Sequence, residues 1–181
     1  ASMFTADNLP EDAFRPFPKR TYGVGRGVYG FAYAPNTPGV GYGAWHGDLY
    51  RFENRKPIRT AFTDQWMNSN GGATRRFNPK IAVHPADDRI VAVGVNSGAV
   101  ALSFDGFASW VWLDLPPGIP ERGSTISSAL VLWEGDTLVI GVRGLGLFRA
   151  ANSGKSPPVH IGGPSNPSQM KLLPSGDLWV I

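Results

Sequence analysis

Short runs of apolar and aromatic residues recur along the whole chain, each bounded by Gly, Pro, Asn, Asp or Ser. Runs of about four to eight residues between breakers read as β-strands rather than helices. The first group predicts strands over Val28–Ala34, Val40–Trp45, Asp48–Glu53 and Ile58–Phe62, with turns at Pro35-Asn36-Thr37-Pro38 and His46-Gly47. A second group follows at Lys80–His84, Ile90–Val95, Ala99–Phe104 and Trp110–Leu115. The third comprises Ser128–Trp133, Thr137–Val142, Gly146–Ala150 and a weaker Val159-His160-Ile161. A fourth begins at Gln169–Leu173, turns at Pro174-Ser175-Gly176 and runs into Leu178-Trp179-Val180-Ile181.

The groups repeat. Gly43, Gly94 and Gly141 each close a β-rich segment, at spacings of 51 and 47 residues. Seven positions after each comes Tyr50, Ala101 or Phe148, followed by Arg51, Leu102 or Arg149. Matched offsets at two landmarks point to one hairpin used three times. A four-stranded antiparallel unit at a period near 40–50 residues predicts an all-β chain, a β-propeller. The competing architecture is a β-sandwich of evenly spaced hairpins. The expected organisation is an N-terminal arm over 1–21 and a partial propeller over 22–181, with repeats near 22–66, 77–120, 125–163 and 168–181. That makes about three and a half blades, an incomplete ring, since closed propellers take four to eight. The rest is expected from further sequence of a longer or cleaved parent, or from a second chain such as another half-ring, because an open strand edge invites pairing.

Composition narrows the chemistry. Among 181 residues, 23 glycines and 16 prolines leave little room for long helices. Charged residues are 17% and aromatic residues 12%, too apolar for a disordered chain. The net charge is only +3, with basic doublets at Lys19-Arg20 and Arg75-Arg76 but no longer basic run, so nucleic acid is not an expected partner. Cysteine is absent, which removes disulfides, thiolate metal sites and a cysteine nucleophile. No apolar run approaches the ~20 residues of a membrane span. Acidic Asp7, Glu11 and Asp12 argue against a signal peptide. Met3 reads as a native start, leaving cytoplasm and virion both open. No His/Asp/Glu spacing suggests a metal, and no cofactor is expected. Gly23, Gly25, Gly27 and Gly30 form a glycine-rich stretch, but no strand-then-helix frame surrounds it, so close backbone approach near a propeller axis explains it better than a dinucleotide loop.

Two stretches carry a family resemblance. Ser103-Phe104-Asp105-Gly106-Phe107-Ala108-Ser109-Trp110 resembles the Asp-box (BNR repeat), S-x-D-x-G-x-x-W, with Ser103, Asp105 and Trp110 matching and Phe107 at the usual glycine. It follows Lys80-Ile81-Ala82-Val83-His84-Pro85-Ala86-Asp87-Asp88, similar to the "IAVHPxDP" lead-in of such blades. The box marks sialidases, xyloglucan-active family 74 glycoside hydrolases and sortilin-type receptors. There it is a structural turn between a blade's third and fourth strands, which implies a structural role for Asp105 and for the strand-end His84. In addition, residues 23–35 followed by 43–52 resemble the opening blade of the family 74 enzymes, Tyr50-Arg51-Phe52 fitting a terminal "Y-R-W". Counting back, the family's acidic residue, its catalytic base, falls on Trp45. An inverting glycosidase needs one general acid and one general base, so this departure leaves enzymatic activity undecided.

The resemblance implies a glycan-directed propeller, the N-terminal part of a glycoside hydrolase acting on polysaccharide. The alternatives are a non-catalytic carbohydrate-binding propeller, lectin-like on a viral tail or cell surface, and a protein-assembly module. Propeller ligands sit over the central channel, near second-to-third-strand turns. Trp45 and His46, Asn96 with Ser97, and Arg143 occupy those turns in the three repeats. An aromatic face beside hydrogen-bonding groups suits a sugar, so Trp45, His46, Asn96 and Arg143 are candidate substrate contacts. The loop Asp64-Gln65-Trp66-Met67-Asn68-Ser69-Asn70-Gly71-Gly72 adds Trp66 as a binding candidate. Asp64 and Asp48, the latter paired with His46, are the candidate catalytic carboxylates; a solvated turn competes with that role at His46 and Asp48. His160 stands isolated beside prolines.

Overall fold

The computed structural model describes residues 28–45, 48–62, 80–95, 98–115 and 129–181. These contain fourteen strands and no helix. Blade one is formed by β1 (Val28–Tyr33), β2 (Val40–Trp45), β3 (Asp48–Glu53) and β4 (Lys56–Arg59). Blade two holds β5 (Lys80–Val83), β6 (Val91–Gly94), β7 (Val100–Ser103) and β8 (Val111–Trp112). Blade three holds β9 (Leu130–Glu134), β10 (Thr137–Val142), β11 (Gly146–Ala150) and β12 (Val159–Gly162). A final hairpin pairs β13 (Met170–Leu172) with β14 (Leu178–Val180). Each blade is an antiparallel meander in sequence order, and all ten strand pairs are antiparallel.

The blades stack in chain order through their first strands: β1 lies beside β5, β5 beside β9, and β9 beside β13. This is the inner ring of a β-propeller, with three complete blades and the first two strands of a fourth. Period-two alternation supplies the glue, because successive side chains on a strand point to opposite faces. In blade two, Val91, Val93 and Ala101 face blade one and join Tyr42, Ala44, Leu49, Phe62 and Phe107 in one buried core. Their neighbours Ala92, Val100 and Leu102 face blade three and pack with Trp133, Leu138, Ile140 and Phe148 in a second. A central blade is thus apolar on both faces, which is why its strands read as continuous apolar runs.

Polar links fasten the same interfaces at the first turn of each blade. The Asn36 amide donates to Asp88 Oδ1 at 3.1 Å and to the Pro85 carbonyl at 3.0 Å, and the Tyr42 hydroxyl donates to the Asp88 carbonyl. Between blades two and three, the Trp133 indole N–H donates to the Ala82 carbonyl at 3.1 Å. His84 is buried edge-on to Trp133, 4.7 Å between ring centres. The Ala86 N–H donates to His84 Nδ1, so the ring proton sits on Nε2 and is donated to Asp136 Oδ1 at 3.2 Å.

Two details differ from the sequence expectation. The outer strand of blade one is Lys56–Arg59, not Ile58–Phe62. A two-residue turn at Asn54 and Arg55, with φ of 47° and 70°, starts the strand early, as in the primed turns favoured by hairpins. Phe62 lies beyond β4, its carbonyl still accepting the Leu49 N–H at 3.0 Å, and its ring inserts between blades, 4.9 Å from Trp110 and 5.3 Å from Phe107. Gly43 is also not the counterpart of Gly94 and Gly141. Gly94 abuts Ala129 of the next blade and Gly141 abuts Pro167 and Met170, whereas Gly43 lies between Tyr42 and Ala44, which face blade two, and so points away from it. The counterpart is Ala44.

Candidate functional site

The inner strands of a propeller begin at the mouth of its central channel. Here a cleft of about 410 Å³ opens where four such beginnings meet. Its walls are Gly30 and Phe31 from β1, Lys80 and Ile81 from β5, Leu130 and Val131 from β9, and Ser168, Gln169 and Met170 at β13. The size falls in the range of small-ligand sites, about 300–1,000 Å³. Pairing places the second-to-third-strand turns at the same end: Val28 lies opposite Trp45, Lys80 opposite Gly94 and Leu130 opposite Gly141.

The walls combine three kinds of surface. Phe31 is 43% exposed and lies over Gly41, where a Cβ would meet its ring at 2.5 Å; only a glycine lets the ring settle on the sheet. Ser168 Oγ donates to the Ile181 carbonyl, which ties β13 to the end of β14. Lys80 starts β5 half-buried. Phe31, Lys80, Ser168 and Gln169 did not stand out in the sequence. The available signal was position: Phe31 lies within β1, Lys80 opens β5, Ser168 and Gln169 lead into β13, and Lys80 is the one charge on Lys80-Ile81-Ala82-Val83.

The structure distributes the candidate residues as follows. Trp45 closes β2 with its backbone opposite Asp48. Its side chain, His46, Asp64, Trp66, Asn96 and Ser97 lie outside the described residues. Asp48 is buried, 6% exposed, with Oδ2 2.8 Å from Arg59 Nη2 across the β3–β4 edge. Arg143 is exposed in the β10–β11 turn, where the Gly144 N–H donates to the Ser165 carbonyl and anchors the segment leading to β13. His160 is not isolated: its Nε2 is 2.9 Å from the Leu145 carbonyl and its ring packs on Phe148.

Ser103, Asp105 and Trp110 sit in the β7–β8 turn, which leaves the blade at its other end, beside the β5–β6 turn. Ser103 Oγ is fully buried, donates to Asp105 Oδ1 and accepts the N–H groups of Asp105 and Phe107. Asp105 accepts the Ser109 N–H at 2.8 Å and the Ser109 hydroxyl at 2.6 Å. Burial opposes ionisation of Asp105, but these bonds from Ser109 and Ser103 outweigh it and hold the carboxyl below its ordinary range. A carboxylate consumed by its own turn is poorly placed for proton transfer.

A Ser, an Asp and a His also converge elsewhere. Ser153 Oγ donates to the same Asp136 oxygen that accepts from His84. Both groups spend their protons on one carboxylate, and neither contacts the other. A nucleophile requires its hydroxyl on the base, so this is a strut between blades. Among the described residues no group of three His, Asp or Glu is placed to hold a metal.

No protein-family model matches the chain, and no curated protein matches it. Solved structures do. An ancestral GH74 enzyme superposes with a TM-score of 0.60 at 14% identity, over 84% of this chain and 21% of that one. The GH74 enzyme of Niastella koreensis gives 0.59 at 19% identity, with the same coverages of 84% and 21%. YCF48 bound to D1 peptide gives 0.53 at 13% identity, over 84% of this chain and 47% of that one. The chain thus spans about a fifth of the GH74 enzymes and about half of YCF48. At these identities the likeness is one of fold, and it defines the class of the molecule: an all-β propeller, represented here by part of a ring.

Proposed function

We propose that this chain is part of a glycan-directed β-propeller that receives a polysaccharide at the channel mouth. The observation that carries the reading is the cleft, whose lining brings the aromatic residue Phe31 of β1 together with Lys80, Ser168 and Gln169. A sugar presents an apolar C–H face to such a ring and hydroxyls to the polar groups. Trp45, His46, Asn96 and Arg143 belong to the second-to-third-strand turns, whose flanking pairs lie at this end of the strands, and we read them as contacts for further sugar units. The fold likeness to GH74 enzymes supports a saccharide, as does the β7–β8 turn, which we read as an Asp-box with Phe107 in the glycine position.

Binding is better supported than cleavage. Glycosidic hydrolysis takes two carboxyl groups flanking the scissile bond, and Asp48 is already engaged with Arg59. Glycan-array screening and calorimetry test the reading. Binding of a polysaccharide fragment that weakens about tenfold or more in Phe31→Ala, consistent with loss of a stacking wall, supports it. An absence of glycan binding across a broad panel overturns it. Reducing-sugar release abolished by Asp64→Asn would extend the function to hydrolysis.

A second reading is assembly. Trp179 and Ile181 are 46% and 51% exposed on the final hairpin, and Phe31 is exposed on the first blade. A further polypeptide segment or a second chain completing the ring would cover both ends. The neighbour YCF48, solved with a peptide, is a precedent for propellers that bind polypeptide. Native mass spectrometry tests it: a single species at one chain mass across micromolar concentrations excludes self-completion.

A further inference from the structure

We infer that the channel cleft recognises a neutral polyhydroxylated ligand through main-chain groups, the N–H and C=O of Phe31, Ile81, Val131 and Met170. This inference rests on the saccharide reading above and adds which groups hold the sugar. The inner strands β1, β5, β9 and β13 are each the edge of their sheet, so one side of each carries main-chain groups that its ladder does not use. In an antiparallel pair, residues bonded to the partner strand alternate with residues whose N–H and C=O point away from it. The turns fix the phase of that alternation. The Ala34 N–H donates to the Val40 carbonyl and the His84 N–H to the Ile90 carbonyl, so Ala34 and His84 are bonded positions. Glu134 and Thr137 close a two-residue hairpin, which makes Glu134 another. Gln169 and Ile181 exchange both N–H bonds, so Gln169 is bonded and Met170 beside it is open. Alternation back from Ala34, His84 and Glu134 makes Phe31, Ile81 and Val131 open as well. Ala129 shares the phase of Val131 and shows the direction: its N–H leaves its own sheet and donates to the Val95 carbonyl at 3.2 Å. Among the described residues no bond outside the ladders reaches the main chain of Phe31, Ile81, Val131 or Met170.

These four residues hold equivalent places in successive blades, and all four line the cleft. The next open places along β5, β9 and β13, at Val83, Trp133 and Leu172, lie outside its lining. A peptide that adds as a strand needs alternate residues of a single edge. The cleft instead offers one open place from each of four edges. A sugar ring matches that arrangement, because its hydroxyls are spread around a ring and each can both donate and accept. One hydroxyl can accept from an edge N–H while another donates to an edge C=O, and neither main-chain group requires a charge on the ligand.

The test is residue-resolved amide exchange by NMR, on the chain alone and with cellohexaose, mannohexaose or maltohexaose. In the free chain the amides of Phe31, Ile81, Val131 and Met170 are expected to exchange faster than those of their bonded neighbours Ala32, Ala82, Leu132 and Lys171. A bound hexasaccharide is expected to slow the four open amides about threefold or more, with an affinity that salt changes by less than about twofold. Ile81→Pro removes an N–H that the ladder does not use, and Ile81→Ala accounts for the lost side chain. The proline variant is expected to bind about fivefold or more weakly than the alanine variant. Binding that leaves the four amides unchanged, or equal affinity in the two variants, overturns the main-chain assignment and leaves the saccharide reading intact. If none of the three sugars binds while other glycans do, the neutral ligand is overturned. If no glycan of any class binds, the saccharide reading itself fails, and this inference with it.

Discussion

Replacing Gly94 with alanine probes how tightly blades two and three are stacked. A Cβ on Gly94 would lie 1.9 Å from the Ala129 carbonyl oxygen and 2.8 Å from its carbon. These are backbone atoms at the entry to β9, so no rotamer change relieves the contact, and the strand must move outward by more than about 1 Å to restore van der Waals separation. That shift works against the Ala129 N–H bond to the Val95 carbonyl, 3.2 Å long, and loosens the core around Trp133, Leu138 and Ile140. Overpacking costs about 1–3 kcal/mol and a weakened buried hydrogen bond about 1 kcal/mol. The lower entropy of an unfolded alanine returns about 0.4–1 kcal/mol. The net expectation is a loss of about 2–3 kcal/mol, read as a lower urea midpoint at unchanged m-value with tryptophan fluorescence as the probe. Gly135→Ala is the control. Its Cβ meets nothing within 4 Å, but its φ of 57° makes alanine cost about 1 kcal/mol. If Gly94→Ala is no more destabilising than Gly135→Ala, the close stacking of the two blades is wrong.

Three further outcomes follow from single features. Phe107→Gly, which restores the glycine of the resembled turn, relieves a φ of 66° but removes a fully buried ring packed on Phe62. It should destabilise by about 2–4 kcal/mol in the same denaturation assay; stabilisation would mean that the ring contributes nothing to the core. Asp48→Asn should cost about 1–2 kcal/mol, since it strips a half-exposed Arg59 of its partner, while glycan affinity stays at the parent value; a collapse of binding or turnover instead would put Asp48 in the site. Acid should weaken the fold in a defined window. The hydrogen bonds and charge of Arg89 lower Asp87 from 3.8 to about 2, and Asp136 is lowered by its bond from Ser153. Depressed folded-state values stabilise fully above the unfolded value near 4, and that stability is lost as pH falls toward 2. Urea midpoints that do not change between pH 5 and pH 2.5 would contradict this.

The strand pattern was legible because propeller blades obey local rules. Thr137–Val142 and Gly146–Ala150 lie where alternation and breakers predict them, since each is bounded by a turn whose glycines take positive φ, such as Gly135, Gly144 and Gly146. The outer strand of blade one was not legible in the same way. Ile58 to Phe62 looks apolar enough to be a strand, yet Phe62 is buried by tertiary contact with Trp110 and Phe107 from another blade. Burial between sheets and burial within a sheet leave the same mark on a sequence. His84 and Trp133 show the reverse case, because a strand-end His and a distant Trp announce no partnership until the blades stack.

The repeat offsets contain both a success and an error, and the error has one cause. Tyr50, Ala101 and Phe148 are true equivalents on the third strands: the residues after them, Arg51, Leu102 and Arg149, all point toward the following blade, opposite Tyr42, Ala92 and Val139 in their ladders. The second strands slip because Trp45 and Asp48 pair around a two-residue turn, whereas Val142 and Gly146 pair around three residues. One missing residue inverts every side-chain direction on β2 relative to the spacing. The same slip puts two glycines, Gly41 and Gly43, on the open face of blade one, where blades two and three carry Val91 with Val93 and Leu138 with Ile140. The Phe31 ring occupies the room left at Gly41, packed with Tyr33 and Phe52 on that open face. The seating of Phe31 on that face and the misaligned repeats are therefore two consequences of a single shortened hairpin. Inserting one residue between His46 and Gly47 should restore the common turn length and bring the β2 register into conflict with Tyr42 and Ala44, so destabilisation without any change at Gly94 is the outcome this argument requires.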